Sequence, residues 1–79
     1  MRISRKSAPA DFLQAFGARV QEKRQAAKIY QCDFASSLGI SQSALSRIEN
    51  GEIDISMRRA VHIATILNTR LSDLLEGLI

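Results

Sequence analysis

Gln42, Ser43, Ser46 and Arg47 fall at i, i+1, i+4 and i+5 within the run QCDFASSLGISQSALSRIENG, Gln31 to Gly51, so a helix there carries all four on one side. Their chemistry is that of reading base edges. A Gln amide pairs bidentately with adenine N6 and N7, an Arg guanidinium forks onto guanine O6 and N7, and a Ser hydroxyl bonds to several edges. The same residue types also populate ordinary solvated helices, and composition alone leaves both readings open.

Two short helices must position these side chains. Phe34, Ala35 and Leu38 make one side of a helix starting near Gln31 apolar, while Gln31, Asp33, Ser36 and Ser37 face outward. Gly39 stops that helix, because glycine reaches positive φ without a Cβ penalty, and Ile40 can drop into the core. Ser41 is a good N-cap for a second helix over 42–49, whose inner face is Ala44, Leu45 and Ile48. Asn50 and Gly51 close it.

This pattern resembles the lambda-repressor-like helix-turn-helix domains of the Cro/cI (Xre) family over roughly Phe12 to Leu78. The features that match are Arg24 on the first helix, Gln31 opening the second, the small Ala35, the turn Leu38, Gly39, Ile40 and Ser41, the stretch Gln42 to Gly51, and Ser56 capping a further helix. The resemblance implies an all-α, compact five-helix DNA-binding domain. It implies that Gln42, Ser43, Ser46 and Arg47 lie at base edges and that Gln31 and Asn50 meet phosphate. A helix N-terminus, where Gln31 stands, attracts anions through its free N–H groups. Arg24 and Glu49 look like the family's structural ion pair, tying the first helix to the end of the third.

Three positions depart from the family pattern. Tyr30 stands where a capping Thr or Ser is common and cannot cap as they do. Lys28 takes a place often held by Gly, so either it accepts positive φ at some cost or the helix ends differently. The loop Glu52 to Ile55 carries two carboxylates that repel phosphate, which makes Arg58 and Arg59 the expected replacements for its grip on the backbone.

The chain has 79 residues and a formal charge of +3. That length fits one domain, and chains of this size bury only about 60% of their unfolded surface, so stability is modest or shared with a partner. Residues 1–28 hold Arg2, Arg5, Lys6, Arg19, Lys23, Arg24 and Lys28 against Asp11 and Glu22, or +5, and the remainder contributes −2. A basic first third can supply non-specific phosphate attraction, although solvated helix charges have the same composition. Cys32 is the single cysteine, so no intrachain disulfide forms, and with no activating motif it reads as an inert thiol. There is no apolar run of membrane-spanning length and no signal-peptide core, which gives a cytoplasmic reading with no membrane partner.

Residues 1–8 are expected to form a flexible basic arm and 9–79 the helix-turn-helix domain. Pro9 suits the first turn of helix one, and Phe12, Phe16 and Val20, with Leu13 beside them, mark its buried face up to about Ala27. Ala60, Ile63, Ala64 and Leu67 repeat at helical spacing behind Ser56, and Asn68 can take a left-handed stop. His62 lies on the polar side with no second ligand near it in sequence, so no metal and no cofactor are expected. No catalytic constellation is recognisable, and the chain reads as no enzyme.

Ser72 can cap a short last helix. Leu71, Leu74, Leu75, Leu78 and Ile79 give that segment more apolar surface than one small core needs, unless all of them close over the monomer. The resemblance implies that they form the contact of a homodimer, setting two reading helices about 34 Å apart on a palindromic operator. The expected function is sequence-specific binding of double-stranded DNA by a transcriptional regulator, a repressor. The alternative is a protein-interaction module, such as an antitoxin-like partner subunit docking through the apolar C-terminus.

Overall fold

Four residues in left-handed backbone conformation, Lys28, Gly39, Gly51 and Asn68, divide this chain into its helices. A computed structural model describes residues 8–78, which form α1 (Ala8–Ala26), α2 (Gln31–Leu38), α3 (Gln42–Glu49), α4 (Met57–Ile66) and α5 (Leu71–Leu75). Most of the expected arm, residues 1–7, and Ile79 lie outside the described residues.

The first four helices end in the same way. Each left-handed residue donates its N–H to the carbonyl three residues back, and the next residue donates to the carbonyl five back. The longer bonds run from Ile29 to Arg24 (3.1 Å), Ile40 to Ala35 (3.0 Å), Glu52 to Arg47 (2.9 Å) and Thr69 to Ala64 (3.0 Å). Glycine takes this conformation freely at Gly39 and Gly51, and Asn68 is among the few other residues that tolerate it. Lys28, at φ 61°, accepts positive φ rather than ending the helix in another way, so α1 carries the steric cost of a Cβ there.

Helix starts follow the hydroxyls. Ser41 Oγ accepts from Ala44 N at 3.1 Å and Ser56 Oγ from Arg59 N at 3.0 Å, each satisfying a first-turn N–H. Tyr30 stands at the N-cap of α2 in extended conformation with no side-chain bond. Helix α5 corrects the sequence expectation. It begins at Leu71 rather than after Ser72, so Ser72 is the second helical residue and Arg70 occupies the cap position without a side-chain bond.

Phe16 and Val20 of α1, Phe34, Ala35 and Leu38 of α2, Leu45 and Ile48 of α3, Ala60, Ile63 and Ala64 of α4 and Leu74 of α5 are buried together. Phe12, Ile40 and Leu67 pack against them while partly exposed, and the Phe12 and Phe16 rings stack at 5.9 Å. Gly17 has a role that periodicity does not show. A Cβ there would collide with the carbonyl oxygens of Ile48 and Glu49, so its absence lets α1 lie directly on the end of α3.

Candidate nucleic-acid interface

The turn Gly39 to Ser41 joins α2 and α3 across the Phe34, Leu38 and Leu45 core and turns the other side of α3 outward. Gln42, Ser43 and Arg47 are exposed on it, Ser46 is half-buried, and Asn50 is exposed at the C-cap. Helical spacing puts Gln42, Ser46 and Asn50 along one stripe, with Ser43 and Arg47 beside it. A row of amide, hydroxyl and guanidinium groups on a helix of eight residues has the size and chemistry to enter a major groove.

A buried ion pair supports this stripe from behind. Arg24 donates from Nε to Glu49 Oε2 at 2.7 Å and from Nη2 to Glu49 Oε1 at 3.2 Å, in a bidentate fork. Its remaining nitrogen, Nη1, donates to the Ile29 carbonyl at 2.8 Å and so holds the link into α2. The residues are 6% and 4% exposed, and no buried side-chain N or O among the described residues lacks a partner. Glu49 Oε1 also accepts from Gln31 Nε2 at 3.0 Å, and Gln31 Oε1 accepts from Gln42 Nε2 at 3.2 Å. Gln31, expected at phosphate, is therefore already bonded to two protein side chains, with one amide hydrogen left to give.

The arginines of α4 divide. Arg58 is exposed, whereas Arg59 Nη1 donates to the Leu38 carbonyl at 3.0 Å and fastens α4 to the end of α2. His62 joins Ser56, Arg58 and Arg59 around a hollow of about 120 Å³, an arrangement that only the helix geometry brings about. Glu52 and Asp54 are exposed in the loop before α4.

The basic first third is less available than its charge suggests. Arg24 is committed to Glu49, and Arg19 donates to the carbonyls of Asp73 and Glu76, both at 3.1 Å, clasping α5 to α1. Arg2, Arg5 and Lys6 lie outside the described residues, which leaves Lys23 and Lys28 as the described cations of this segment without such ties.

Among the expected dimer-contact residues, Leu74 requires correction: it is 0% exposed and has no surface to offer a second chain. Its side chain fills the centre of the monomer instead. Leu71, Leu75 and Leu78 are partly buried. Leu71 and Leu75 line an apolar hollow of about 280 Å³ with Phe12, Phe16, Ile55 and Met57. Met57, 70% exposed at its edge, is a surface residue that sequence periodicity did not single out. Cys32 is a free, exposed thiol. Among the described residues no His, Cys, Asp and Glu side chains gather as metal ligands do, and no helix is long and apolar enough to cross a membrane.

The helix-turn-helix family model HTH_3 matches residues 20–74, which span the ion pair, both short helices, the turn and α4. The chain belongs to the HTH_3 family. Solved structures agree with this HTH_3 fold. The clp gene regulator ClgR from Corynebacterium glutamicum superposes with a TM-score of 0.81 at 21% identity, over 85% of this chain and 71% of that one. The restriction-modification controller protein C.AhdI from Aeromonas hydrophila gives 0.74 at 29% identity, over 78% and 94%. Hydroxypropylphosphonic acid epoxidase from S. wedmorenis gives 0.77 at 24% identity over 82% of this chain but 35% of the enzyme, a likeness of fold alone. No curated protein sequence matches the chain. Family and fold together make this HTH_3 chain a DNA-binding domain of the transcription-regulator kind.

Proposed function

We propose that this HTH_3 domain binds duplex DNA sequence-specifically as a homodimer and represses transcription, reading the major groove with α3. The observation that carries this reading is the outward row of exposed Gln42, Ser43 and Arg47 and half-buried Ser46 on a helix anchored from behind by the Arg24–Glu49 pair. These four side chains meet base edges, while Asn50, Arg58 and the free amide hydrogen of Gln31 meet phosphate. Arg59 adds to the phosphate grip through the guanidinium N–H groups that Leu38 does not use. The dimer forms on Leu71, Leu75 and Leu78, with Met57 at its edge. The likeness to a restriction-modification controller protein and to a clp gene regulator supports a regulatory role in transcription. The place of action is the cytoplasm, and the chain performs no catalysis.

Selection of bound sequences from a random duplex pool tests the reading in one step. The expected result is an enriched palindrome whose half-sites are about one helical turn, roughly 34 Å, apart. Binding without enrichment contradicts base reading, and enrichment of a single half-site contradicts the dimer. A reporter gene under the enriched site separates repression from activation.

One observation favours a second reading. The apolar hollow edged by Met57 also suits a different protein chain, which would make this an interaction module of the antitoxin-partner type. That reading predicts no retardation of random DNA in a gel at low salt.

A further inference from the structure

We propose that Arg19 is a positioning residue that sets the half-site spacing of the dimer, because it ties the helix carrying the two-fold contact to the helix that holds the reading helix. This rests on the dimer and the base-reading α3 of the proposed function. From one guanidinium, Nη1 donates to the Asp73 carbonyl and Nη2 to the Glu76 carbonyl, both at 3.1 Å. The two carbonyls flank Leu74 and Leu75, and Leu78 N donates to the Leu75 carbonyl at 2.9 Å just beyond them. Arg19 therefore grips the part of the chain that presents Leu75 and Leu78 to a second copy. In α5 only Leu74 is fully buried, and one such anchor on a helix of five residues fixes its depth but leaves its tilt free. Leu71 and Leu75 meet a chiefly apolar hollow, and apolar contact sets no direction. The two-bond clasp does.

Helix α1 serves two neighbours from two sides. Phe12, Phe16 and Arg19, at i, i+4 and i+7, face α5, where both rings line the hollow with Leu71 and Leu75. Gly17 and Arg24, seven apart on another side, face α3. Gly17 has no room for a Cβ against the Ile48 and Glu49 carbonyls, and Arg24 holds Glu49 in its fork. Arg19 lies between these two fixings in sequence, so directed bonds run from the dimer contact through α1 to the reading helix. Displacing a half-site by one base pair moves it about 3.4 Å along the duplex and about 35° around it. Two reading helices held rigidly meet one spacing alone without bending the DNA or themselves. With α5 unclasped, the same dimer hinges and follows neighbouring spacings.

Selection from a random duplex pool with the full chain supplies the half-site. Duplexes carrying two half-sites at the enriched spacing, and at one and two base pairs more or less, then measure spacing preference, while sedimentation equilibrium reads association and far-UV circular dichroism reads folding. The unaltered protein is expected to favour one spacing over its neighbours by about tenfold or more. Arg19→Met keeps the alkyl stem and loses both bonds. It should remain a dimer with the same base preference inside each half-site, while spacing preference falls to within about threefold. Arg19→Lys keeps the charge, but one ammonium cannot hold two carbonyls in a fixed plane, so it too should relax spacing.

A spacing preference that survives Arg19→Met would overturn the proposal. So would a monomeric Arg19→Met, which would make Arg19 a support of the interface itself, or an equal fall in base preference at all positions, which would make it a support of the fold. Should Arg19→Met fail to fold, Arg19→Lys decides, and full spacing preference in that variant would show that charge without the clasp suffices. Enrichment of a single half-site by the unaltered chain would defeat the dimer and this proposal together, a result distinct from a fixed palindrome that ignores Arg19.

Discussion

Arg24 and Glu49, 25 positions apart in sequence, meet through a two-bond fork with Nε 2.7 Å from Oε2 and join the end of α1 to the end of α3. Both are almost fully buried, so the loss of either one strands a charge out of water. Arg24→Met alone and Glu49→Leu alone should each lower unfolding free energy by about 3–5 kcal/mol, and the double variant by clearly less than their sum. Urea unfolding of the four proteins measures this. Strict additivity would mean that the pair contributes only through packing.

Gly17 lies against the carbonyls that end α3, with no space for a methyl group. Gly17→Ala should destabilise by about 1–3 kcal/mol despite the better helix propensity of alanine, because α1 must lift away from α3. Chemical denaturation reads the loss. An unchanged or higher midpoint would show that the two helices separate without penalty.

Lys28 is exposed and holds φ at 61° in the motif that closes α1. Lys28→Gly relieves the Cβ contact at the price of some unfolded-state entropy, a net gain of up to about 1 kcal/mol. Asn68→Gly should change little, since asparagine already tolerates this conformation. Thermal melts of the two variants rank them, and the reverse order would contradict this account of the α1 terminus.

Arg47 is exposed on the outer side of α3 and is the one arginine there. On the proposed function, Arg47→Ala costs about 1–3 kcal/mol at one or two base pairs and relaxes preference at those alone. Competition binding with specific and random duplexes makes the comparison. Equal weakening on both would assign Arg47 to phosphate instead.

Met57, exposed beside the Leu71 and Leu75 hollow, tests the proposed dimer without disturbing the core. Met57→Glu should shift the protein toward monomer in sedimentation equilibrium while its helix content stays constant. Two carboxylates brought together across a two-fold contact repel, and each loses water. Unchanged association would remove the α4 edge from the interface.

Helix ends were the most legible part of this chain. Gly39, Ser41, Ser56 and Asn68 signal where the backbone turns because their side chains, or the lack of one, act within a single turn of helix. The last helix was misjudged at Ser72 because α5 starts with no side-chain cap, its first-turn N–H groups of Asp73 and Leu74 donating to the Arg70 carbonyl, while Arg19 of α1 holds its other end from outside by donating to the Asp73 and Glu76 carbonyls. Leu74 was misassigned for a related reason. A leucine-rich terminus states how much apolar surface exists, but only docking against the other helices divides it between core and exterior.

Sequence by itself determined the five helical segments, most of the core and the outward row on α3, since these follow from local periodicity and capping. Arg24, Glu49, Gln31 and Gln42 could be named from the sequence, the first two as a pair only through family likeness. Their connection into one hydrogen-bonded line is a tertiary fact. Three helices must pack before those four side chains come within bonding distance. Gly17 belongs to the same class: its missing methyl matters only once α3 has arrived to occupy the space.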